Sequence, residues 1–232
     1  MKLIGLIGGM SWESSLEYYR LLNEGVKERR GGFHSAKVLM YSVDFQEIEE
    51  QQRRERWDLA ADLLCDVARR LEAGGADFLV LATNTMHIVA RRIEEAVHLP
   101  LLHIADPVGR KAAEAGLTKV GLLGTRFTME RDFLKERLAG LYGLDVLTPG
   151  AEDRLFVDGV IFNELCQGRI NEESRRGFVE IIGRLESAGA EGAILGCTEI
   201  SLLVRPEDTD LPLLDTTALH VRAALDLALE GV

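Results

Sequence analysis

The 232-residue sequence has few cysteines, namely Cys65, Cys166 and Cys197. An odd number with no close-set pair argues against a disulfide framework and against a structural zinc site, so a cytoplasmic protein is expected. No apolar run approaches the roughly 20 residues that a membrane span needs. The apolar opening Leu3–Ile7 is cut short by Gly8 and Gly9, and no small-residue cleavage site follows, so no secretory leader and no membrane partner are expected. Positive charge is the minority sign, 27 Lys and Arg against 38 Asp and Glu, for a net charge of −11. That balance speaks against a nucleic-acid binder built on phosphate contacts, although helix N-termini and backbone N–H groups can still hold a small anion. His34, His87, His98, His103 and His220 lack His-x-x-x-His or Cys-x-x-Cys companions, so no metal centre is expected. Gly5-x-x-Gly8-Gly9 is not the Gly-x-Gly-x-x-Gly fingerprint, and Asp44 lies well beyond the usual ~20-residue spacing from it, which argues against a dinucleotide.

What is present is an ordinary globular composition, 47% hydrophobic and 28% charged, on a chain long enough to bury a large core. Short Val, Ile and Leu runs recur at Lys2–Ile7, Lys37–Val43, Asp77–Ala82, Leu101–Ile104, Lys119–Leu123, Leu144–Leu147, Gly192–Leu195 and Pro212–Leu214. Continuous rather than alternating hydrophobicity predicts strands buried on both faces of a parallel sheet. Helical periodicity lies between them, most clearly from about Arg53 to Glu72, where Trp57, Ala60, Ala61, Leu64, Val67, Ala68 and Leu71 form one stripe. Gly74 and Gly75 end that helix. Repeated strand–helix–strand order predicts right-handed βαβ units and an α/β fold.

The chain also resembles itself. Ile4–Gly8 is similar to Val120–Gly124, Gly75–Thr85 to Gly189–Glu199, and Leu99–Leu102 to Leu211–Leu214, in one order and at offsets of about 112 to 116 residues. Two similar Rossmann-like lobes are expected, 1–104 and 105–214, with the final helix 215–232 packing back on the first. No Pro/Gly/Ser-rich linker separates them. If the lobes are related by a pseudo-two-fold axis, the carboxyl ends of equivalent strands flank one shared cleft, where open α/β sheets take ligands. Thr83 and Cys197 are then an equivalent pair, each at the end of the third strand of its lobe. Moving a proton between the two faces of a carbon needs an acid–base group on each side, and a thiolate is a usable base. Cys197 precedes an expected short helix, with Thr198 as cap and Glu199 in the first turn. The helix N-terminus would favour the thiolate and Glu199 would oppose it. By itself Gly-Cys-Thr-Glu reads as a buried structural cysteine.

Taken together, Gly8-Gly9-Met10, Thr83-Asn84-Thr85-Met86-His87 and Gly196-Cys197-Thr198-Glu199 resemble the pyridoxal-independent aspartate/glutamate racemase family over essentially the whole chain. Gly-Cys-Thr-Glu, rather than Gly-Cys-Thr-His, is similar to the aspartate-type branch. Gly8–Ser14 is closest to the L-aspartate/glutamate-specific or broad-specificity amino-acid racemase subgroup. The resemblance implies an isomerase that needs no cofactor or metal, acts on a small amino acid and forms a homodimer. It also implies a pair of catalytic cysteines, one removing the α-proton and the other returning a proton on the opposite face. Thr83 stands where that family's motif has its first cysteine. A hydroxyl donates a proton but is a poor base at neutral pH. Cys197 as base with Thr83 as opposing donor therefore implies a lopsided racemase that prefers the L-enantiomer.

The same resemblance supports Asn84, Thr85 and Thr198 as α-carboxylate contacts, placed at helix starts. Thr125 and its counterpart Met10 are expected at the cleft edge. Gln52, on the loop after the second strand, is the candidate partner for a side-chain carboxylate, with Arg53 and Arg54 as competitors; family members often carry a basic residue near the place of Cys166. The remaining conspicuous residues have plainer readings: Glu47–Arg56 as a solvated loop and helix entry, Cys65 as structural, Trp12 as packing at the lobe edge. His87 could orient Thr83, though packing in the first helical turn is simpler. Two alternatives stay open, a decarboxylase or isomerase of the same fold using Cys197 alone, and a non-catalytic binder of small carboxylates.

Overall fold

The computed structural model describes residues 1–231; Val232, the last residue of the expected C-terminal segment, lies outside them. The chain divides into two units, Met1–His103 with the segment from His220 onward, and Ile104–Leu219.

In the first unit β1 (Ile4–Gly8), β2 (Val38–Ser42), β3 (Phe78–Leu81) and β4 (Leu101–Leu102) form a wholly parallel sheet in the order β2-β1-β3-β4. Between them run α1 (Trp12–Arg30), α2 (Phe45–Arg53), α3 (Trp57–Ala73), a 3-10 turn (Thr85–Val89) and α4 (Ala90–Ala96). Alternation along the strands fills two cores. Ile7, Leu79 and Leu81 face the buried side of α3, and Ile4, Leu6, Phe78 and Val80 face Tyr18, Leu22 and Val26 of α1. That second core also takes Val221, Ala224, Leu225 and Ala228 from α11 (Thr216–Leu229). Burying each such large aliphatic side chain is worth about 1.5–3 kcal/mol.

The second unit repeats the plan. Its strands β5 (Lys119–Gly124), β6 (Asp145–Leu147), β7 (Ala193–Gly196) and β8 (Leu213–Asp215) are parallel in the order β6-β5-β7-β8. Leu123 and Leu195 face α8 (Ala151–Asn163) and α9 (Glu172–Ser187), while Val120, Leu122 and Ile194 face α5 (Ala105–Glu114) and α7 (Phe133–Tyr142). The short helices α6 (Arg126–Glu130) and α10 (Ile200–Leu203) follow β5 and β7. Among the described residues no helix is long and apolar enough to cross a membrane.

Three expectations need correction. Strand β2 is not buried on both faces; it is a sheet edge, and Met40 and Tyr41 are exposed. The run Glu47–Arg56 is mostly helix rather than loop. Asp44 caps α2 by accepting the Gln46 N–H at 3.0 Å, and Ile48 and Gln52, one turn apart, face inward. Arg53 and Arg54 face out, toward Glu49 (3.9 Å) and Glu50 (2.7 Å), the i,i+4 pairing of a solvated helix face. A buried stripe two residues wide is easily hidden by so many charges. Lastly, Trp12 does not pack inward; it opens α1 and is 63% exposed.

Candidate active site

In each sheet the chain leaves the first strand toward one side and the third strand toward the other. The carboxyl ends of β1 and β3, and likewise of β5 and β7, mark the switch points where open α/β sheets hold ligands. Thr83 lies just past β3 and Cys197 directly after β7.

At the first switch point β1 runs into Gly9, whose φ of +92° suits glycine. A Cβ there would also run into the Val43 backbone, which lies across from the loop. Ser15 Oγ accepts the Gly9 N–H at 2.7 Å and donates to the Ser11 carbonyl at 3.0 Å, while Ser11 caps α1 through the Ser14 N–H. Gly9→Ala is therefore expected to cost about 1–3 kcal/mol of stability, read from the urea midpoint; an unchanged midpoint would show that the loop relaxes freely. Met10 is buried in the core that holds Ile48 and Met86.

At the end of β3 the Ala82 N–H bonds to the Ile7 carbonyl and the Thr83 N–H to the Leu81 carbonyl, both at 2.9 Å. Thr83, Asn84 and Thr85 are all buried, and Asn84 precedes the 3-10 turn without capping it through its side chain. Gln52 reaches this motif from α2, not from the expected loop. Its Nε2 donates to Met86 Sδ at 3.0 Å, a thioether being a weak acceptor that a carboxylate could outbid. Arg53 and Arg54 remain on the exposed face, so of the three candidates Gln52 is the one brought to the motif. His87 folds back so that Nδ1 lies 2.7 Å from the Thr83 carbonyl.

The second switch point is built from close strands. A Cβ on Gly124 would meet the Gly196 carbonyl, and one on Gly196 the Leu123 carbonyl, so this contact requires glycine on both sides. Thr125 caps α6, accepting the Thr128 N–H at 3.3 Å, with the two hydroxyls 3.1 Å apart. Ser11 and Ser14 make the same cap at the start of α1.

Cys197 is half-buried, packed against the apolar cluster around Phe178 and Leu195. Its Sγ donates to Glu199 Oε2 at 3.0 Å, and Cys166 Sγ, on the 3-10 turn Leu165–Gln167, lies 3.9 Å from Glu199 Oε1. Of the two opposing influences expected on the sulfur, the one against the thiolate prevails. Burial first, then the Glu199 carboxylate and Cys166, push the Cys197 thiol well above its ordinary range. The helix that was to favour a thiolate spans only Ile200–Leu203, and its cap position is Glu199 rather than Thr198. Four residues align too few peptide dipoles to outweigh a carboxylate in contact with the sulfur. Thr198 is buried beside it, its carbonyl accepting from Ser201 Oγ at 3.0 Å.

Thus the first unit brings Gln52 to the Thr83–His87 motif and places Met10 in the core beneath it. The second brings Thr198, Glu199 and Cys166 to Cys197, with Thr125 on the neighbouring strand end. Glu199 and His87 are the side chains whose contacts sequence spacing undervalued; both lie within four residues of a candidate catalytic position, which was the available signal. Among the described residues no group of three or more His, Cys, Asp or Glu could hold a metal ion. A surface hollow of ≈ 300 Å³ between α3 and α4 is lined by Cys65, Arg69 and Arg92 among others, and none of the site residues named above lines it. Its charges are mutually paired, Arg92 with Asp62 at 2.9 Å and Arg69 with Asp66 at 2.6 Å.

The whole chain has known counterparts. A candidate Asp/Glu racemase from Yersinia pestis is 51% identical, with a TM-score of 0.93 over 99% of this chain and 100% of its own. An aspartate racemase homologue from Pyrococcus horikoshii is 35% identical, with a TM-score of 0.87 over 99% and 100%. The broad specificity amino-acid racemase RacX of Bacillus subtilis is 23% identical over 166 residues, which cover 67% of this chain and 66% of that relative's length. The family model described as Asp/Glu/Hydantoin racemase matches residues 7–224. The chain therefore belongs to the Asp/Glu/Hydantoin racemase family, an enzyme family of isomerases.

Proposed function

We propose that this protein racemises an acidic amino acid, aspartate or glutamate, working best from the L-enantiomer and without a cofactor. The observation that carries the reading is topological: a thiol and a hydroxyl occupy the same position, past the third strand, in two sheets of identical order. In the resting enzyme Cys197 is a thiol donating to Glu199 Oε2. Before sulfur can act as a base that proton must leave, and Glu199, already in hydrogen-bond contact, takes it. The thiolate then removes the α-proton of the L-substrate, and the Thr83 hydroxyl protonates the opposite face of the resulting carbanion. Solvent returns a proton to Thr83 and removes one from Glu199, which restores the starting state. In this scheme Asn84, Thr85 and Thr198 hold the α-carboxylate, Gln52 the side-chain carboxylate, and Met10 and Thr125 border the substrate. A homodimeric, cytoplasmic protein fits the reading.

Running backwards, Thr83 would have to act as the base, for which a hydroxyl is poorly suited. The equilibrium constant between enantiomers is one, so kcat/KM must be equal in the two directions. The asymmetry then resides in kcat and KM separately, with slow turnover and tight binding for the D-acid.

Incubation with L- and D-aspartate and L- and D-glutamate in deuterium oxide tests the proposal. Deuterium should enter Cα while the D-acid accumulates from the L-acid, with the larger kcat in that direction. A neutral Cys197 thiol is also what a one-cysteine decarboxylase needs as its proton donor, and that reading predicts carbon dioxide release from a suitable diacid instead. No exchange and no carbon dioxide, with a rise in melting temperature on ligand addition, would leave a binding protein.

A further inference from the structure

His87 is 3% exposed, and its ring is held on several sides. The His103 ring lies edge-on at 4.5 Å between centroids and the His220 ring at 6.0 Å, both buried. His220 is fixed in turn. Its Nε2 lies 2.8 Å from the Leu102 carbonyl and its Nδ1 2.9 Å from the hydroxyl of the fully buried Tyr18. A carbonyl can only accept, so His220 donates from Nε2 and, when neutral, accepts the Tyr18 proton on Nδ1. By the same reasoning His87 carries its proton on Nδ1 and donates it to the Thr83 carbonyl at 2.7 Å. A buried imidazole is costly unless it is hydrogen-bonded, and an aliphatic side chain would fill the same space without that cost. Here the hydrogen bond is made to the peptide that carries Thr83. Fixing that carbonyl fixes the rotation of the Thr83–Asn84 peptide plane, and with it the direction of the Cα–Cβ bond from which the Thr83 hydroxyl extends.

We propose that His87 is a positioning residue for Thr83. Clamped by His103 and by the Tyr18–His220 pair, it holds the Thr83 peptide so that the hydroxyl points at the substrate carbanion. The proposal rests on Thr83 being the proton donor described above. A shift of about 1 Å in such a group costs on the order of 100-fold in rate, so a single well-held hydrogen bond matters.

Three variants of the full chain test it: His87→Asn, whose amide N–H can stand where Nδ1–H stands; His87→Gln, whose amide reaches the Nε2 position instead; and His87→Leu, which packs without a donor. Two rates are followed from L-aspartate in deuterium oxide, formation of D-aspartate and deuterium incorporation into recovered L-aspartate. Exchange into the L-acid needs the Cys197 side alone, whereas inversion also needs Thr83. His87→Gln and His87→Leu should lower inversion about tenfold or more while exchange falls much less, and His87→Asn should keep the ratio of the two within about threefold of wild type. Equal losses of both rates in all three variants, a ratio disturbed as much by Asn as by Gln, or no change in any variant would overturn the proposal. Should the Gln and Leu variants fold poorly in thermal melts, His87→Met, which also packs without a donor, takes their place beside His87→Asn. Thr83→Ala in the same assay separates the two layers: inversion at the wild-type rate there would refute the role of Thr83 itself, whatever His87 does.

Discussion

Cys197→Ala is expected to lower racemisation and Cα deuterium exchange together by about 1000-fold or more, because in the proposed scheme it removes the base that starts either process. The methyl side chain fits the half-buried position against the Phe178 and Leu195 cluster, so melting temperature should change little compared with activity. Retention of exchange in this variant would end the assignment of sulfur as base. Glu199→Gln probes the same step differently. The amide keeps the shape but accepts no proton, so the maximal rate should fall by about 100-fold or more, within the usual contribution of general-base catalysis. It also removes a negative charge that raises the thiol, so ionisation of Cys197 becomes easier. Even so, the sulfur of the variant must lose its proton to solvent rather than to a neighbouring carboxylate, and burial still opposes the thiolate, so the rise of kcat/KM with pH should move to higher pH while its plateau drops. A plateau that fell with no movement of the pH limb would show that Glu199 does not take the proton from the sulfur.

Thr83→Cys should have the second large effect, in the opposite sense. A thiol in place of the hydroxyl supplies a usable base on the second side, and kcat from the D-acid should rise about tenfold or more. Since kcat/KM must stay equal in the two directions, any gain in kcat/KM from the D-acid should appear equally from the L-acid. Thr83→Ala should instead leave exchange into the L-acid while abolishing inversion, which separates the donor from the base. An unchanged kcat from D-aspartate in Thr83→Cys, in a protein of normal melting temperature, would count against the two-sided scheme.

How much of this was legible beforehand differs residue by residue. All eight strands lie where the apolar runs place them; the central ones do so because a buried parallel strand is recorded in the chain as consecutive Val, Ile and Leu, whereas β2 carries the same kind of run on an exposed edge. The duplicated pattern around Gly8 and Gly124 was readable for a similar reason: a sharp strand end and a close backbone approach restrict residue choice locally. The run Glu47–Arg56 was less transparent, since its helix turns inward on Ile48 and Gln52 alone. Gln52, expected on a loop as a partner for a side-chain carboxylate, lies instead on α2 with its amide on Met86.

Sequence by itself determined the α/β class, the two repeated sheets and the family, since these follow from periodicity and from motifs a few residues long. Tertiary structure decided the electrostatic state of Cys197 and the company of His87. Burial of a sulfur among Phe178, Leu195 and the Glu199 carboxylate depends on α9 and β7 coming together, and no local pattern states how much water that leaves. In the same way His87 meets His103 and His220 across 16 and 133 residues of chain, respectively, because β4 and α11 pack beside β3. Desolvation and hydrogen-bond geometry are properties of neighbours in space: Glu199 and Thr83 are close in the chain as well, but Phe178, His103 and His220 are brought in by the fold.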